Sequence, residues 1–535
     1  MQETQLPWTR AVGAGSIKEN GMTDIYGNYR EKRDALKIKN NPSRVEKMHK
    51  AGKLTAEERI EAFFDDHTYT EMKPWTKNRC ADFGLNEKNL GNEGVLCGYG
   101  NVDGRPVFAY ANDVTIMGGS MGEAGRDKIM NCFEKAIEAG YPILTFNDAA
   151  GARIQEGVSA LHAYCSTFGK TSIASGWIPQ ISLILGTCAG GTSYCAALTD
   201  FIIQVNPIGK MFVTGPAVIE SVTGEKTTFE DIGGAGVHGR ITGLAHFVVN
   251  SEQEGFAVAK RLLSFLPSNS KKMPPRYAEN DPIDRRTPEI RNIIPLDPQK
   301  SFDMKAVIRC FVDNQDFMEV QAEFAQNMVI GFARLGGETV GIVGNQPKML
   351  AGCIDVNASW KAARFVRFCD CYNIPLITLA DTPGYLPGVM QEHNGILRNG
   401  AKLLFAYSEA TVPKITVVVR KDYGGAYSAM CGKGMGADFV LALPTGELAI
   451  MGAEGAANIV FKHEIAEAED QAAKRKELTE TYKELFLNPY KGAEYGIVDD
   501  VIDPEDLRSR VIKDLRIIRN KKSVMPYKKH SNIPL

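Results

Sequence analysis

Two hydrophobic periods take turns along this chain. Short, nearly unbroken apolar runs occur at Ile143-Leu144-Thr145-Phe146, Ile181-Ser182-Leu183-Ile184-Leu185, Leu376-Ile377-Thr378-Leu379 and Ile415-Thr416-Val417-Val418-Val419. Runs of this length predict strands buried on both faces. Between them lie longer stretches whose apolar positions recur at helical spacing: 125–140, 160–175, 360–373 and 396–410. Strand and helix therefore alternate, which predicts an α/β fold with parallel strands covered by helices. After the run at 181–185 comes Gly190-Gly191, then a small, apolar helix start from Ser193 to Leu198.

The pattern occurs twice. Asp148 follows Pro142 at the same interval at which Asp381 follows Pro375. Lys128 and Lys361 precede those acids by equal intervals, and Gly118 and Gly352 precede them by intervals that differ by one position. Pro179 and Pro413 follow the acids at intervals that also differ by one, and Gly190-Gly191 recurs as Gly424-Gly425. Landmarks that stay in register from Gly118 to Gly191 and again from Gly352 to Gly425 identify two copies of one unit. Binding turns of such units lie at the carboxyl ends of the strands, so the acid turn and the Gly-Gly turn are expected on one side. The proline- and charge-rich segment 266–300 reads as the linker. The start of the chain, 1–20, is expected to be mobile, and the charged stretch 465–486 to form one solvated or interface helix.

Composition narrows the function classes. The chain has 535 residues, 44% hydrophobic and 24% charged, with a net charge of −2. That is an ordinary globular balance with no global pull toward nucleic acid, although a local basic patch could hold phosphates. No apolar run is long enough to span a membrane, and the segment 1–21 resembles neither a secretory signal nor a transit peptide. Eleven cysteines lie scattered in apolar segments, with Cys369 and Cys371 the closest pair. They show no zinc spacing and no disulfide framework, which points to buried thiols in a reducing cytoplasm. His238 and His246 are expected to serve packing or hydrogen bonding.

A Gly-Gly hinge between a strand and a helix leaves backbone N–H groups uncovered by any Cβ. One such turn is commonly only a tight corner. Two in register, each near an acid turn, have the makings of paired oxyanion holes, in which backbone donors stabilise a carbonyl oxygen that gains charge. This chemistry needs no nucleophile, and the chain carries no nucleophile elbow.

The motifs "GTCAGGTSYCAALTDFII" and "FNDAAGARIQEG" resemble the crotonase superfamily of acyl-CoA-binding proteins. The duplication, with "GGSMGEAG", "RCADFGL", "GIVGNQPKMLAGCID", "DTPGYLPG", "RKDYGGAY", "MGAEGAANIVF" and the ending "KKHSNIPL", resembles the biotin-dependent acyl-CoA carboxyltransferases. The likeness is to the propionyl-CoA carboxylase β and methylmalonyl-CoA decarboxylase α type. It runs from about residue 30 to Leu535. It implies two tandem crotonase-like domains, 31–285 binding CoA and 286–535 binding biotin, after an extension at 1–30. It also implies transfer of a carboxyl group from carboxybiotin, on a separate carrier protein, to the α-carbon of an acyl-CoA through an enolate, or the reverse. No metal is implied.

By the same resemblance, the backbone of Gly190 and Gly191 holds the thioester oxygen, and that of Gly425 and Ala426 the biotin ureido oxygen. Gly118, Gly119, Gly151, Ala152 and Arg153 lie along the CoA, with Arg153 placed either to reach a phosphate or to pair with Glu156 or another carboxylate. Thr382, Pro383, Gly384, Tyr385 and Leu386 line the biotin side. Asp381 is expected to be a structural acid capping that turn rather than a general base. Two departures stand out. Ser428 follows "YGGAY", where relatives acting on propionyl-CoA commonly carry an acid and acetyl-type relatives often an apolar residue. Gly125 stands near where propionyl relatives usually place a histidine.

No biotinyl-lysine context and no ATP-binding segment of the biotin carboxylase kind is found in the sequence. The resemblance therefore implies one subunit of a larger system, a homo-oligomer of the hexamer type with sites between chains. Its partners would be a biotin carboxyl carrier protein with a biotin carboxylase subunit, or, in a sodium-pumping decarboxylase, a membrane subunit. Two further readings are a silent CoA-binding scaffold, which predicts broken glycine turns, and a hydratase, which needs paired carboxylates where the first copy offers Asp148 and Glu156.

Overall fold

A computed structural model describes residues 25–36, 42–88, 90–278, 280–523 and 525–534. The expected mobile start of the chain, 1–20, lies outside the described residues. Among the described residues, sixteen strands form two sheets. The first holds β1 (Thr70–Glu71), β2 (Val95–Val102), β3 (Arg105–Asn112), β4 (Ile143–Ala149), β5 (Gln180–Ala189), β6 (Phe201–Val205), β7 (Lys210–Phe212) and β8 (Phe247–Val249). The second holds β9 (Phe317–Val320), β10 (Met328–Leu335), β11 (Glu338–Asn345), β12 (Leu376–Thr382), β13 (Lys414–Tyr423), β14 (Phe439–Ala442), β15 (Glu447–Ala449) and β16 (Asp500–Val501).

The two sheets have one plan. An antiparallel pair, β2 with β3 or β10 with β11, is followed by parallel strands β3-β4-β5-β6 or β11-β12-β13-β14. Helix Glu123–Ala139 crosses from β3 to β4, and helix Val356–Cys371 from β11 to β12. Helices Val158–Ala174 and Ile396–Glu409 make the next crossing. The parallel strands are buried on both faces, which is why their sequences show apolar runs rather than alternation.

Even the irregularities repeat. The β4–β5 ladder shifts register between Asn147 and Ala149, and the β12–β13 ladder between Ala380 and Thr382. Lys128 and Lys361 are fully buried, and each caps a loop from below. Lys128 Nζ donates to the Asn92 and Val95 carbonyls at 3.2 and 2.7 Å, and Lys361 Nζ to those of Gln321 and Phe324 at 2.9 and 2.7 Å.

The halves share a core. Phe201 of the first sheet meets Phe368 at 4.6 Å between ring centroids and Phe332 at 6.0 Å, and the Tyr372 hydroxyl donates to Asp200 at 3.3 Å. Segment 266–300 is not a bare linker. It contains helix Glu289–Ile293, and Arg285, where the expected division falls, donates to the Cys310 and Val312 carbonyls. The charged stretch 465–486 is broken rather than continuous. Helix Lys462–Glu467 ends, and Gln471–Phe486 starts afresh because the Asp470 carboxylate accepts from the Ala472 and Ala473 amides and fixes a new N-terminus. The histidines are packing groups, as expected. His238 bonds the Met211 carbonyl, and His246 accepts from the Ile202 amide, with burial pushing its pKa down to about 3.

Candidate active site: two backbone turns

The first acid turn is built on a buried carboxylate. Asp148, at the end of β4, is 2% exposed and takes an ion pair from Lys53 at 2.7 Å, with Arg59 at 3.5 Å. Arg59 is itself fully buried and forks onto Glu252 at 2.9 and 2.7 Å. Space for the Asp148 carboxylate comes from Gly186, where a Cβ would overlap it. Gly119, at φ 69°, leads the loop before the turn so closely that a Cβ would stand 2.5 Å from the Asp148 carbonyl oxygen. The Ala150 amide donates to Gly118 at 3.0 Å, and Gly151 lies against the Ala189 carbonyl. That last contact brings the acid turn beside the Gly-Gly turn.

At the Gly-Gly turn the chain reverses through Gly190, φ 56° and ψ −118°, and helix Gly191–Ala197 begins. The Gly190 amide donates to the Phe212 carbonyl at 3.0 Å. The Ser193 hydroxyl ties the Cys188 carbonyl and the Phe212 amide to the same corner. Gly191 has no alternative, because a Cβ there would overlap the Tyr164 ring, whose hydroxyl bonds Thr192 Oγ1 at 2.8 Å. Among the described residues, no acceptor takes the Gly191 or Thr192 amide.

The second half repeats the corner. Gly424 has φ 58° and ψ −135°, its amide donates to Ala449 at 2.9 Å, and helix Gly425–Ala429 begins. The Gly425 and Ala426 amides have no acceptor among the described residues. A Cβ on Gly425 would lie 3.7 Å from the Tyr385 ring, an ordinary contact. Tyr385 sits in the Thr382–Leu386 turn, which Ile354 clips in place: its amide donates to Gly384 at 3.0 Å and its carbonyl accepts from Leu386 at 2.9 Å. Pro383 is exposed beside it.

Three expectations change in detail. Gly190 cannot offer its amide to a ligand, since Phe212 already takes it; the open pair is Gly191 and Thr192. The repeat itself carried that signal, because Gly190 aligns with Gly424 and so Thr192 with Ala426. Arg153 takes the ion-pair alternative. It is fully buried, with Glu93 at 2.6 Å and Glu156 at 2.9 Å, and donates also to the Ser120 carbonyl, so its guanidinium does not reach a phosphate. Its amide still runs along the turn, donating to Met121. Asp381 is a structural acid but does not cap the turn. Arg420 holds it at 3.0 Å and the Lys421 amide at 3.0 Å, while Thr382 Oγ1 accepts from the Gly384 amide. Burial holds the Asp381 carboxyl above its ordinary value, with Arg420 pulling the other way.

Both turns open among exposed apolar side chains. Ile154, Val158, Leu161, Tyr194 and Val213 flank the first, and Met349, Leu350, Val389, Leu397 and Ile450 the second. Contiguous exposed apolar patches of several hundred Å² mark contacts with other molecules. Among the described residues, no cluster of metal-ligating side chains occurs, and no helix is long and apolar enough to cross a membrane.

Comparison with known proteins agrees with this geometry. The carboxyl transferase domain profile matches residues 47–533. A propionyl-CoA carboxylase carboxyltransferase subunit of Haloferax mediterranei is 48% identical over 96% of this chain and 100% of its own length. A methylmalonyl-CoA decarboxylase subunit alpha of Veillonella parvula is 49% identical over 94% of this chain and 98% of its own. The crystal structure of transcarboxylase 12S, a hexamer with methylmalonyl-coenzyme A and methylmalonic acid bound, superposes with a TM-score of 0.94 at 46% identity. It covers 97% of this chain and 100% of that one.

Proposed function

From the premise that the chain belongs to the carboxyl transferase family, as a biotin-dependent enzyme with two tandem crotonase-like units, we propose that it is the carboxyltransferase subunit of a short-chain acyl-CoA carboxylase. The observation that carries this is the pair of matched turns. Each ends a parallel strand, and each points two unclaimed amides at a helix start.

In the first half, Gly191 and Thr192 would hold the thioester oxygen of an acyl-CoA. Two backbone donors aimed at an oxygen that becomes an enolate lower the cost of removing the α-proton, and they do so without a side chain that could itself titrate. The Gly118-Gly119 and Gly151–Arg153 backbones run beside that site, where the CoA would lie. In the second half, Gly425 and Ala426 would hold the ureido oxygen of biotin, with Thr382, Pro383, Gly384, Tyr385 and Leu386 alongside. The turn suits such a planar group: Gly425 leaves the Tyr385 face clear, and Gly384 and Gly388 have open space where side chains would stand. Biotin, bound to its carrier protein, would supply the carboxyl group. Ser428, half-buried on the Gly425–Ala429 helix, would meet the acyl chain.

The exposed apolar side chains around the turns fit a homo-oligomer, with the first turn of one chain facing the second turn of its neighbour, and a hexamer is the assembly we infer. Residues 31–285 would form the CoA-binding unit and 286–535 the biotin-binding unit, after an extension at 1–30. A carrier protein and a biotin carboxylase subunit would complete a cytoplasmic enzyme.

Fixation of carbon-14 bicarbonate by the chain reconstituted with biotin subunits, across a panel of acyl-CoAs, tests this reading. ATP-dependent labelling of propionyl-CoA is expected; no labelling of any acyl-CoA sinks it. The near-equal identity to decarboxylase alpha subunits supports a second reading, the same transfer run in reverse. Carboxyl transfer out of methylmalonyl-CoA that is productive only with a membrane subunit would favour it.

A further inference from the structure

Asp422 is the least accounted-for polar group near either turn. It lies in β13, two residues before Gly424, opposite Thr382 in the β12–β13 ladder and opposite Leu448 in the β13–β15 ladder. It is 1% exposed, and among the described residues neither carboxylate oxygen has a hydrogen-bond partner. The first half places Cys188 at the equivalent ladder position, opposite Ala149. One corner thus rests on a thiol, and the other on a carboxyl group that nothing pairs.

The groups around Asp422 do not compensate it. On β12, Asp381 is the charge that acts on it, and the Arg420 cation is committed to Asp381. On its own strand, Lys421 points its ammonium to the Pro298 carbonyl. On β15, Glu447 accepts from the Tyr423 hydroxyl. On the helix after the turn, Tyr427 is the titratable neighbour, its oxygen taking the Lys433 amide. A buried carboxylate with no donor is costly, so the neutral acid is the stable form, and burial together with Asp381 pushes the pKa up to about 8.

We propose that Asp422 is a positioning residue that sets the charge at the base of the second turn. As a neutral acid it leaves Gly425 and Ala426 able to take an oxygen carrying negative charge, and as a carboxylate it opposes that oxygen. The proposal rests on the reading of Gly425 and Ala426 as a ligand cradle. It adds a pH limit that the first turn, with Cys188 in that place, does not share.

The test uses the full chain with free biotin and methylmalonyl-CoA. In the wild type, kcat/KM for biotin is expected to fall about tenfold between neutral pH and about pH 9, with the fall in the biotin term. In Asp422→Asn, and in Asp422→Cys, which copies the first half, that fall should disappear relative to each protein's own value at neutral pH. The difference infrared spectrum of wild type minus Asp422→Asn should show a protonated carboxyl band at neutral pH that is lost at about pH 9. Absence of that band at neutral pH, or an alkaline fall that persists in both variants, overturns the proposal. The cradle is tested separately by Gly425→Val: undiminished biotin-dependent transfer in that variant removes the cradle reading, whatever Asp422 does.

Discussion

The two halves reach the same backbone corner from different charge chemistry. In the first half the buried acid Asp148 is held by Lys53 and Arg59, which come from outside the repeated unit, and Arg59 is shared with Glu252. In the second, Asp381 is held by Arg420 from the next strand of the same sheet. The ladder equates Cys188 with Asp422, and so Gly186 with Arg420. Where the second half mounts its cation, the first has a bare glycine, and the acid fills that space. The turn's path is thus independent of which cation supports it, as expected if the N–H groups are the working parts and the ions only hold the strand end.

The largest effects should come from removing those cations. Arg59→Met leaves Glu252 buried without its partner, and Arg420→Met leaves Asp381 without its cation beside Asp422. Loss of one member of a buried pair costs about 3–5 kcal/mol. Urea unfolding should show a loss of that size for each. Pairing Arg420→Met with Asp381→Asn should recover more than pairing Arg59→Met with Asp148→Asn, because Glu252 keeps only the Leu54 amide and no cation in the latter. Equal recovery would mean that the two supports are equivalent after all.

Next come the turns. Gly191→Val and Gly425→Ala keep the peptide N–H but put a side chain in front of it where the ligand oxygen would sit, and each should slow transfer on the scale of a lost oxyanion-hole donor, roughly a hundredfold to a thousandfold. The halves differ in what else breaks. A Cβ at 191 runs into Tyr164, so stability should fall with activity there; a Cβ at 425 meets Tyr385 only at ordinary contact, so stability should hold. Thermal unfolding beside turnover separates the two. Near-native transfer by Gly191→Val would exclude the first turn from the chemistry.

How much of this was legible in the sequence follows from the same contrast. The strands, crossing helices and both corners were readable because they rest on local patterns: apolar runs, helical spacing and glycine pairs in register. The supports were not. Arg59, Lys53 and Glu252 lie in distant segments with no motif, and only the folded chain brings them to Asp148. Arg153 was legible only as a pair of alternatives, because its main partner, Glu93, lies far upstream beyond the whole Glu123–Ala139 helix. The one-position difference at Gly190, between the expected donor and the amide left open, has a different origin. The amide consumed by Phe212 is bound by β7, a strand too short to announce itself.

The buried lysines sharpen the comparison through pH. Burial pushes the Lys361 pKa down to about 7, below its unfolded value. Between about pH 7 and pH 10.5 the folded chain therefore holds fewer protons at this site than the unfolded chain. Stability contributed by this group rises with pH across that window and is lowest below it. Lys128 has Glu71 at 3.5 Å as a partner. The stability of wild type relative to Lys361→Met should increase as pH rises from 7 toward 10. A flat Lys361 difference would show that the three carbonyls around its ammonium fully offset its burial.

The smallest expected effect concerns the outer face of the two corner helices, where the halves differ most in side chain. Tyr194 and Ser428 hold the same position, three residues past Gly191 and Gly425. Tyr194 is half exposed and packs its ring edge-on against Phe168 at 6.1 Å, so its environment is set within its own half. Ser428 is half-buried, and its side chain is small and uncharged. If the second turn faces the acyl group, the side chain at 428 limits what fits there. One methylene more or less in such a pocket changes discrimination by about 1–3 kcal/mol. Ser428→Ile should therefore shift the ratio of acetyl-CoA to propionyl-CoA turnover about tenfold, and Ser428→Asp should shift it the other way, both with the KM for biotin little changed. Tyr194→Ser should leave the ratio where it was, because that side chain packs within the half that holds the thioester rather than against the acyl tail. A ratio that follows Tyr194 and ignores Ser428 would reverse the assignment of the two turns to their ligands while leaving the duplicated backbone corner intact.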